Sequence, residues 1–244
     1  MKKKTLLTLM ILTPIFFLLS HAITYLVHEY CHSLTAWIFG YKSNPFDLHY
    51  GDASISNLLL LDQVSENVDY DAIEMAHPFI AALVAFSGSF IGNLVLLILS
   101  LVALNAESLR HFVWRYFFFW LTVMNIGNFI DYVPVRTFAT HGDIHEIVSV
   151  LGISPWWIMI LLGYPIFYTC WYFYKKILPY SYRELSLNYI AQSILLIITT
   201  FTLFVLFGTS GLNGYGEIAR FTAFLSLYAS PMIIAAFWPK RKIV

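Results

Sequence analysis

The residues of this chain best suited to chemistry are His28, Glu29 and His32, in the run His28-Glu29-Tyr30-Cys31-His32. Positions four apart lie above one another on a helix, so both imidazoles can reach one metal ion while Glu29 stands beside it. This spacing is the HExxH pattern of zinc-dependent hydrolysis, in which two histidines bind the metal and the glutamate is the general base. The motif therefore predicts one zinc ion per chain, held by His28 and His32, with Glu29 as the catalytic residue.

The surroundings of the motif are apolar. It ends a long hydrophobic segment, in a chain of 244 residues that is 59% hydrophobic and only 11% charged. Soluble domains have about 25% charged residues, so the composition predicts a multi-pass integral membrane protein in contact with the lipid bilayer. Ionisable side chains are costly in hydrocarbon and by default mark a functional site. No basic stripe is present, which argues against nucleic acid as a partner.

The elements that must position the motif are long apolar runs. About 18 to 25 such residues cross the ~30 Å of hydrocarbon in a bilayer as a helix. We predict an all-α fold in which residues 1–244 form a single membrane domain, a polytopic bundle of about six transmembrane helices. A short β-hairpin at the membrane interface is predicted between the first two spans, around His49 to Leu59. The six predicted spans are 5–39, 77–104, 112–132, 156–174, 187–207 and 218–238.

Lysine and arginine fall on alternate connections between these spans, and such clusters favour the cytoplasmic side. This pattern predicts that both termini are cytoplasmic, in the cell membrane. It places the motif in the outer half of its helix, and sequence alone leaves open which side of the membrane the site faces. A cleavable signal peptide ending near Ala22 is an alternative, although the apolar run continues through that position. The clusters are Lys2 to Lys4, Arg110 with Arg115, Lys175 to Arg183, and Lys240 to Lys242.

The run from His28 to Gly40, HEYCHSLTAWIFG, resembles the HExxHxxxAxxxG signature of the site-2 protease family, the M50 intramembrane zinc metalloproteases. Residues 125–147 are similar to the second motif of that family, an Asn-rich helix end, a proline, and an aspartate next to a glycine. The resemblance implies an endopeptidase that cleaves the transmembrane segments of other proteins. It also implies that the aspartate is the third zinc ligand.

By its position after Pro134, the matching aspartate is Asp143. The order here is Gly142-Asp143 rather than Asp-Gly, so Asp131, His141 and His145 stay open as alternative ligands. A catalytic zinc site usually has three protein ligands and one open position, so one of these residues is needed.

Two asparagines are candidates for contacts with a substrate carbonyl or an oxyanion. Asn93 ends the run Gly88-Ser89-Phe90-Ile91-Gly92-Asn93, which is similar to a glycine-rich, asparagine-ending motif of the same family. Asn128 belongs to the Asn-rich helix end. Small residues in such a run also let helices approach closely, which is a packing role.

Two other functions fit the same motif. A divalent-metal transporter of the ZIP type also carries HExxH-like ligands in a membrane helix, but the last three spans offer no His, Asp or Glu in their interiors as further ligands. A catalytically inactive relative that only binds membrane helices is the other alternative, and the intact His28, Glu29 and His32 argue against it.

Overall fold

The structure is a computed structural model that describes residues 2–240, with side chains from residue 7 onward. The lysine side chains at positions 2–4, and Arg241 with Lys242, all used in the orientation prediction, lie outside these limits. The helices are α1 (Lys2–Ile38), α2 (Ile55–Leu60), α3 (Tyr70–Ala76), α4 (Pro78–Ser87), α5 (Leu94–Asn105), α6 (Phe112–Ile130), α7 (Asp143–Leu151), α8 (Pro155–Tyr172), α9 (Leu178–Glu184), α10 (Tyr189–Phe201) and α11 (Glu217–Ala236). Turns of π-helix extend α4, α6, α8 and α10 at Gly88–Asn93, Asp131–Val135, Phe173–Ile177 and Thr202–Phe207.

The predicted all-α bundle is confirmed. Five helical stretches in the described part of the chain are long and apolar enough to cross a membrane. They match the predicted spans within a few residues at most ends. The stretch that corresponds to the predicted span 156–174 continues further, to Glu184. The five are Leu7–Ile38, Pro78–Asn105, Pro155–Glu184, Tyr189–Leu212 and Glu217–Ala236.

The remaining predicted span, 112–132, forms α6, which is not one of these five. Most of its residues are buried inside the protein, where it packs against α1, α5, α8 and α9. A helix enclosed by other helices can carry polar groups if they are paired. Arg115 of α6 accordingly makes an ion pair with Glu184, and Asn125 donates to the carbonyl of Leu121. Helix α6 therefore keeps these two polar side chains inside the bundle, where each has a partner.

The predicted β-hairpin between the first two spans is wrong. The described residues contain no strand there, only one antiparallel bridge between His49 and Ser65. Helix α2 forms instead because Ser54 caps its first turn by accepting from the Asn57 amide. The Asn57 side chain in turn donates to the carbonyls of Tyr50 and Asp52, which folds the chain back on itself. Local capping therefore replaces the extended pairing suggested by alternating residue types.

Two glycines bring the end of α4 against α1. A Cβ atom on Gly88 would lie 2.3 Å from Nε2 of His32, and one on Gly92 would lie 2.8 Å from Sγ of Cys31. Any larger residue would therefore push into the motif helix. The small residues predicted to allow close helix packing do so here directly beside the HExxH histidines.

Candidate metal centre

Both motif histidines lie on α1 with their Nδ1 atoms fixed by neighbouring elements. His28 is 3% exposed and His32 is 1% exposed. Nδ1 of His28 donates to Oδ1 of Asn93 at 2.9 Å, and Nδ1 of His32 donates to the carbonyl of Val84 at 2.7 Å. Because both acceptors are oxygen atoms without protons, the proton of each neutral imidazole sits on Nδ1. Both Nε2 atoms therefore present lone pairs, which is the tautomer that binds metals.

Asp143 reaches these histidines from the start of α7, which packs against α4. Gly142 precedes it with φ +90°, a conformation that favours glycine, and a Cβ atom there would lie 2.6 Å from the Arg136 guanidinium. The reversed Gly-Asp order is thus what this turn requires. It makes Asp143 the first residue of the helix, with its carboxylate directed back towards α1.

Three acceptor atoms converge at this point. Oδ2 of Asp143 lies 3.2 Å from Nε2 of His28 and 3.2 Å from Nε2 of His32, and the two Nε2 atoms are 3.0 Å apart. Oδ2 is buried and receives no hydrogen bond from the described residues. Two lone pairs and a carboxylate oxygen this close repel one another unless a proton or a metal cation lies between them. These separations are near the edge of about 3.3 Å that a tetrahedral zinc site with Zn–N of ~2.0–2.1 Å requires.

The electrostatics of Asp143 favour the anionic form that a metal needs. Burial alone would raise the pKa of this carboxyl group, but positive charge on the His32 and His28 imidazoles, as a proton between these three atoms supplies, holds the pKa well below its usual range. A carboxylate that stays ionised offers a negatively charged ligand at any physiological pH. Two imidazoles and one carboxylate also form a donor set found in catalytic zinc sites, with a fourth position left for water or substrate. The residues present therefore fit zinc.

Glu29 follows His28 on α1 and is 6% exposed. Its carboxyl group is therefore buried on the same helix as both histidines, immediately after the first and three residues before the second. It is not a member of the cluster of three ligand atoms, which consists of His28, His32 and Asp143 among the described residues. Glu29 thus lies beside the candidate metal position without occupying a ligand place, as a general base requires.

Tyr132 is a site residue that the sequence did not suggest. Its hydroxyl group lies 2.9 Å from Nε2 of His28, where it donates to the lone pair described above. The guanidinium of Arg136 lies over the Tyr132 ring, 4.8 Å from its centroid, and helps to hold it in place. The only sequence signal was its position between Asp131 and Pro134 in the second motif.

The two candidate asparagines have different surroundings. Asn93 is fully engaged, because its Oδ1 accepts from His28 while its Nδ2 donates to the Thr24 carbonyl and to Asn125. It therefore orients the imidazole of His28, a role that raises the basicity of a metal ligand. Asn128 is buried, and its Oδ1 has no hydrogen-bond partner among the described residues. Its contact with a substrate stays a prediction.

The alternative third ligands lie outside the cluster. Asp131 accepts hydrogen bonds from Ser210 and from Arg136, an arrangement that ties the end of α6 to the loop before α11. The His141 ring stacks on Tyr215 with centroids 4.4 Å apart. His145 lies on α7 but contributes no atom to the group formed by His28 and its partners. The structure thus brings only Asp143, of the four candidates, to the motif histidines among the described residues.

Comparisons of the chain with protein-family models, with curated proteins and with solved structures gave no match.

Proposed function

We propose that this chain is a zinc-dependent intramembrane endopeptidase of the site-2 protease type, which hydrolyses peptide bonds in or near the transmembrane segments of other proteins. The observation that carries the proposal is the convergence of Nε2 of His28, Nε2 of His32 and Oδ2 of Asp143, within 3.2 Å of one another, in a helical bundle. The buried carboxyl group of Glu29 beside them supplies the base. Resemblance of residues 28–40 to the family signature supports the same assignment.

In the proposed hydrolysis, the metal, its three ligands and Glu29 each have one role. A bound zinc ion supplies a Lewis acid that polarises a carbonyl oxygen and lowers the pKa of water towards ~7. Glu29 accepts a proton from the attacking water while the water oxygen forms a bond to the scissile carbonyl carbon. Glu29 then gives this proton to the leaving nitrogen as the C–N bond breaks, which leaves a carboxylic acid and an amine. His28, His32 and Asp143 hold the reacting centre in place, and the bundle excludes bulk water.

Tyr132 stabilises the oxygen of the scissile carbonyl as it becomes negative. The Tyr132 hydroxyl lies 2.9 Å from Nε2 of His28. A zinc ion held by His28 would engage the lone pair of this nitrogen, and the hydroxyl proton would then be available for an oxygen atom of the substrate nearby. Such a donor acts mainly in the transition state, because the charge develops only there.

Changing Tyr132 to phenylalanine is expected to lower kcat by about 10²- to 10³-fold, the range seen when one oxyanion donor is removed, with little change in KM. The zinc content of the variant should equal that of the wild type. Tyr174→Phe is the matched control, because it removes a buried hydroxyl that bonds Thr200 away from the site. A kcat for Tyr132→Phe equal to that of the control would remove Tyr132 from the mechanism.

The proposed substrate class follows from the backbone. Peptide bonds in a helix are shielded by i to i+4 hydrogen bonds, so the substrate has to unwind locally before it can be cut. Helices with Gly, Ser, Asn or Pro near the cleavage point unwind at lower cost than those made of leucine.

Metal removal tests the proposal. Purified protein in liposomes is incubated with single-span test proteins, tagged at both ends, whose helices carry either a Gly-Asn-Pro interruption or leucine alone. We expect cleavage of the interrupted helix, loss of this activity after chelation, and recovery with one equivalent of zinc. No cleavage together with zinc uptake into the liposomes that depends on His28 and His32 would favour the transporter instead. Zinc binding with neither activity would favour the inactive relative.

A further inference from the structure

Four residues spaced four apart form a polar stripe along α1. They are His21, Tyr25, Glu29 and Ser33, and this spacing puts them on one face of the helix. Three of them bond backbone carbonyls of the segment that follows α1. His21 donates to the carbonyl of Leu60 at 2.8 Å, Tyr25 to that of Val64 at 3.3 Å, and Ser33 to that of Pro45 at 2.8 Å. The fourth, Glu29, is the proposed base.

Residues 60–67, which we call the cover segment, bond the first two side chains of this stripe, His21 and Tyr25. Tyr25, one helical turn before Glu29, donates to the carbonyl of Val64, so the cover segment lies on the face of α1 that carries the base. Leu61 and Asn67, near its two ends, have φ values of 55° and 52°, an uncommon conformation for residues other than glycine. Lys42 holds the segment from outside, because its ammonium group donates to the carbonyls of Glu66 and Asn67.

We propose that the polar stripe of α1 is a binding groove for the backbone of an extended peptide, and that the cover segment occupies it until a substrate takes its place. The inference rests on the proposed function for one step, that Glu29 is the base. Hydrogen bonds to carbonyl oxygens do not depend on side-chain identity, so another chain can replace the cover segment in the same bonds. The groove therefore binds peptide backbone and does not require a particular sequence.

The spacing of the donors also fits an extended backbone. Residues four apart on α1 are separated by about 6 Å along the helix axis. In an extended chain, every second carbonyl points the same way, with a repeat of about 6.6 Å. The cover segment meets His21 and Tyr25 with the carbonyls of Leu60 and Val64, which are four residues apart across a turn. An extended peptide would meet the same two donors with alternate carbonyls. A helical peptide cannot do so, because its carbonyls are already bonded within the helix.

A synthetic peptide with the sequence of residues 60–67, labelled with a fluorophore, tests the groove without any cleavage step. It is added to the zinc-loaded full chain in detergent, and its binding is followed by fluorescence polarisation. The tethered cover segment competes at an effective concentration in the millimolar range, so the wild type should bind the peptide weakly. Lys42→Met loosens the cover segment, and we expect about tenfold tighter binding of the peptide.

Two further variants complete the test. Lys176→Met removes an exposed lysine elsewhere and should bind the peptide like the wild type. Tyr25→Phe, added to Lys42→Met, removes one donor and should weaken binding several-fold. As a check that does not depend on the Lys42 variant, saturating peptide should speed hydrogen exchange at the Ser65 amide of the wild type, which donates to the His49 carbonyl at 2.9 Å.

Equal peptide affinities for Lys42→Met and Lys176→Met, with unchanged exchange at Ser65, would overturn the groove even if the wild type cleaves membrane proteins. Tighter binding by Lys42→Met that is weakened by Tyr25→Phe would establish the groove. The same binding result in a chain that cleaves no test protein would leave the groove standing and reject the proposed function.

Discussion

Replacing Glu29 by glutamine is expected to abolish cleavage while the protein keeps its zinc. The amide has nearly the shape of the carboxylate but cannot accept the proton of the attacking water, and loss of a general base costs about 10²- to 10⁴-fold in rate. Glu29 contributes no atom to the cluster of His28, His32 and Asp143, so zinc content should not change. The measurement is kcat on the interrupted test helix, alongside zinc per chain by mass spectrometry.

The matched control for this change is Glu146→Gln, which makes the same substitution on α7, one turn after Asp143. It should retain both zinc and activity. Full cleavage by Glu29→Gln would contradict the assignment of the base. Loss of zinc from this variant would instead mean that Glu29 is itself a ligand.

The second large effect is expected for Asp143→Ala. Removing Asp143 leaves two imidazoles and no anionic ligand. Loss of a residue that only hydrogen-bonds to a metal ligand lowers metal affinity by about 10- to 100-fold, so loss of a ligand itself should lower it by more. The variant should then be inactive at zinc concentrations that saturate the wild type, and added zinc should restore little activity. The measurement is zinc affinity by competition with a chromogenic chelator.

His141→Ala and His145→Ala are the controls, because both residues follow Pro134 as Asp143 does, yet lie outside the cluster. Both should bind zinc like the wild type. Unchanged zinc affinity in Asp143→Ala, together with a loss in either histidine variant, would move the third ligand.

The helices of this protein could be predicted from the sequence because each crossing demands a minimum length of apolar residues, which is a local property. Helix α6 was also predicted from its apolar residues, although it contains more polar residues than a typical membrane span because it lies inside the bundle. Its Arg115 and Asn125 are tolerated because partners from other helices meet them. The β-hairpin was predicted wrongly because only the alternation of residue types was considered. The chain forms α2 instead, which is stabilised by the Ser54 cap and by the bond of the Asn57 side chain to the Tyr50 carbonyl.

The candidate site was predictable only in part, for a similar reason. The spacing of His28 and His32 is a property of one helix, whereas Asp143 is brought to them by the packing of α7 on α4. The Val84 carbonyl that fixes His32 has no sequence signal, since every residue carries a carbonyl. The Tyr132 hydroxyl reaches His28 from the end of α6, and this contact depends on the packing of α6 against α1, which the sequence does not specify.

The central claim is that His28, His32 and Asp143 together hold one zinc ion, and X-ray absorption at the zinc edge of the purified wild type tests it most directly. We predict about one zinc per chain, with two imidazole nitrogens at ~2.0–2.1 Å and oxygen ligands at ~2.0–2.2 Å. The Asp143→Ala protein, reloaded with excess zinc, should keep the imidazole signal but bind zinc more weakly, because water takes the place of the carboxylate oxygen. A wild-type spectrum with no imidazole ligands, or purified protein that binds no zinc, would contradict the account.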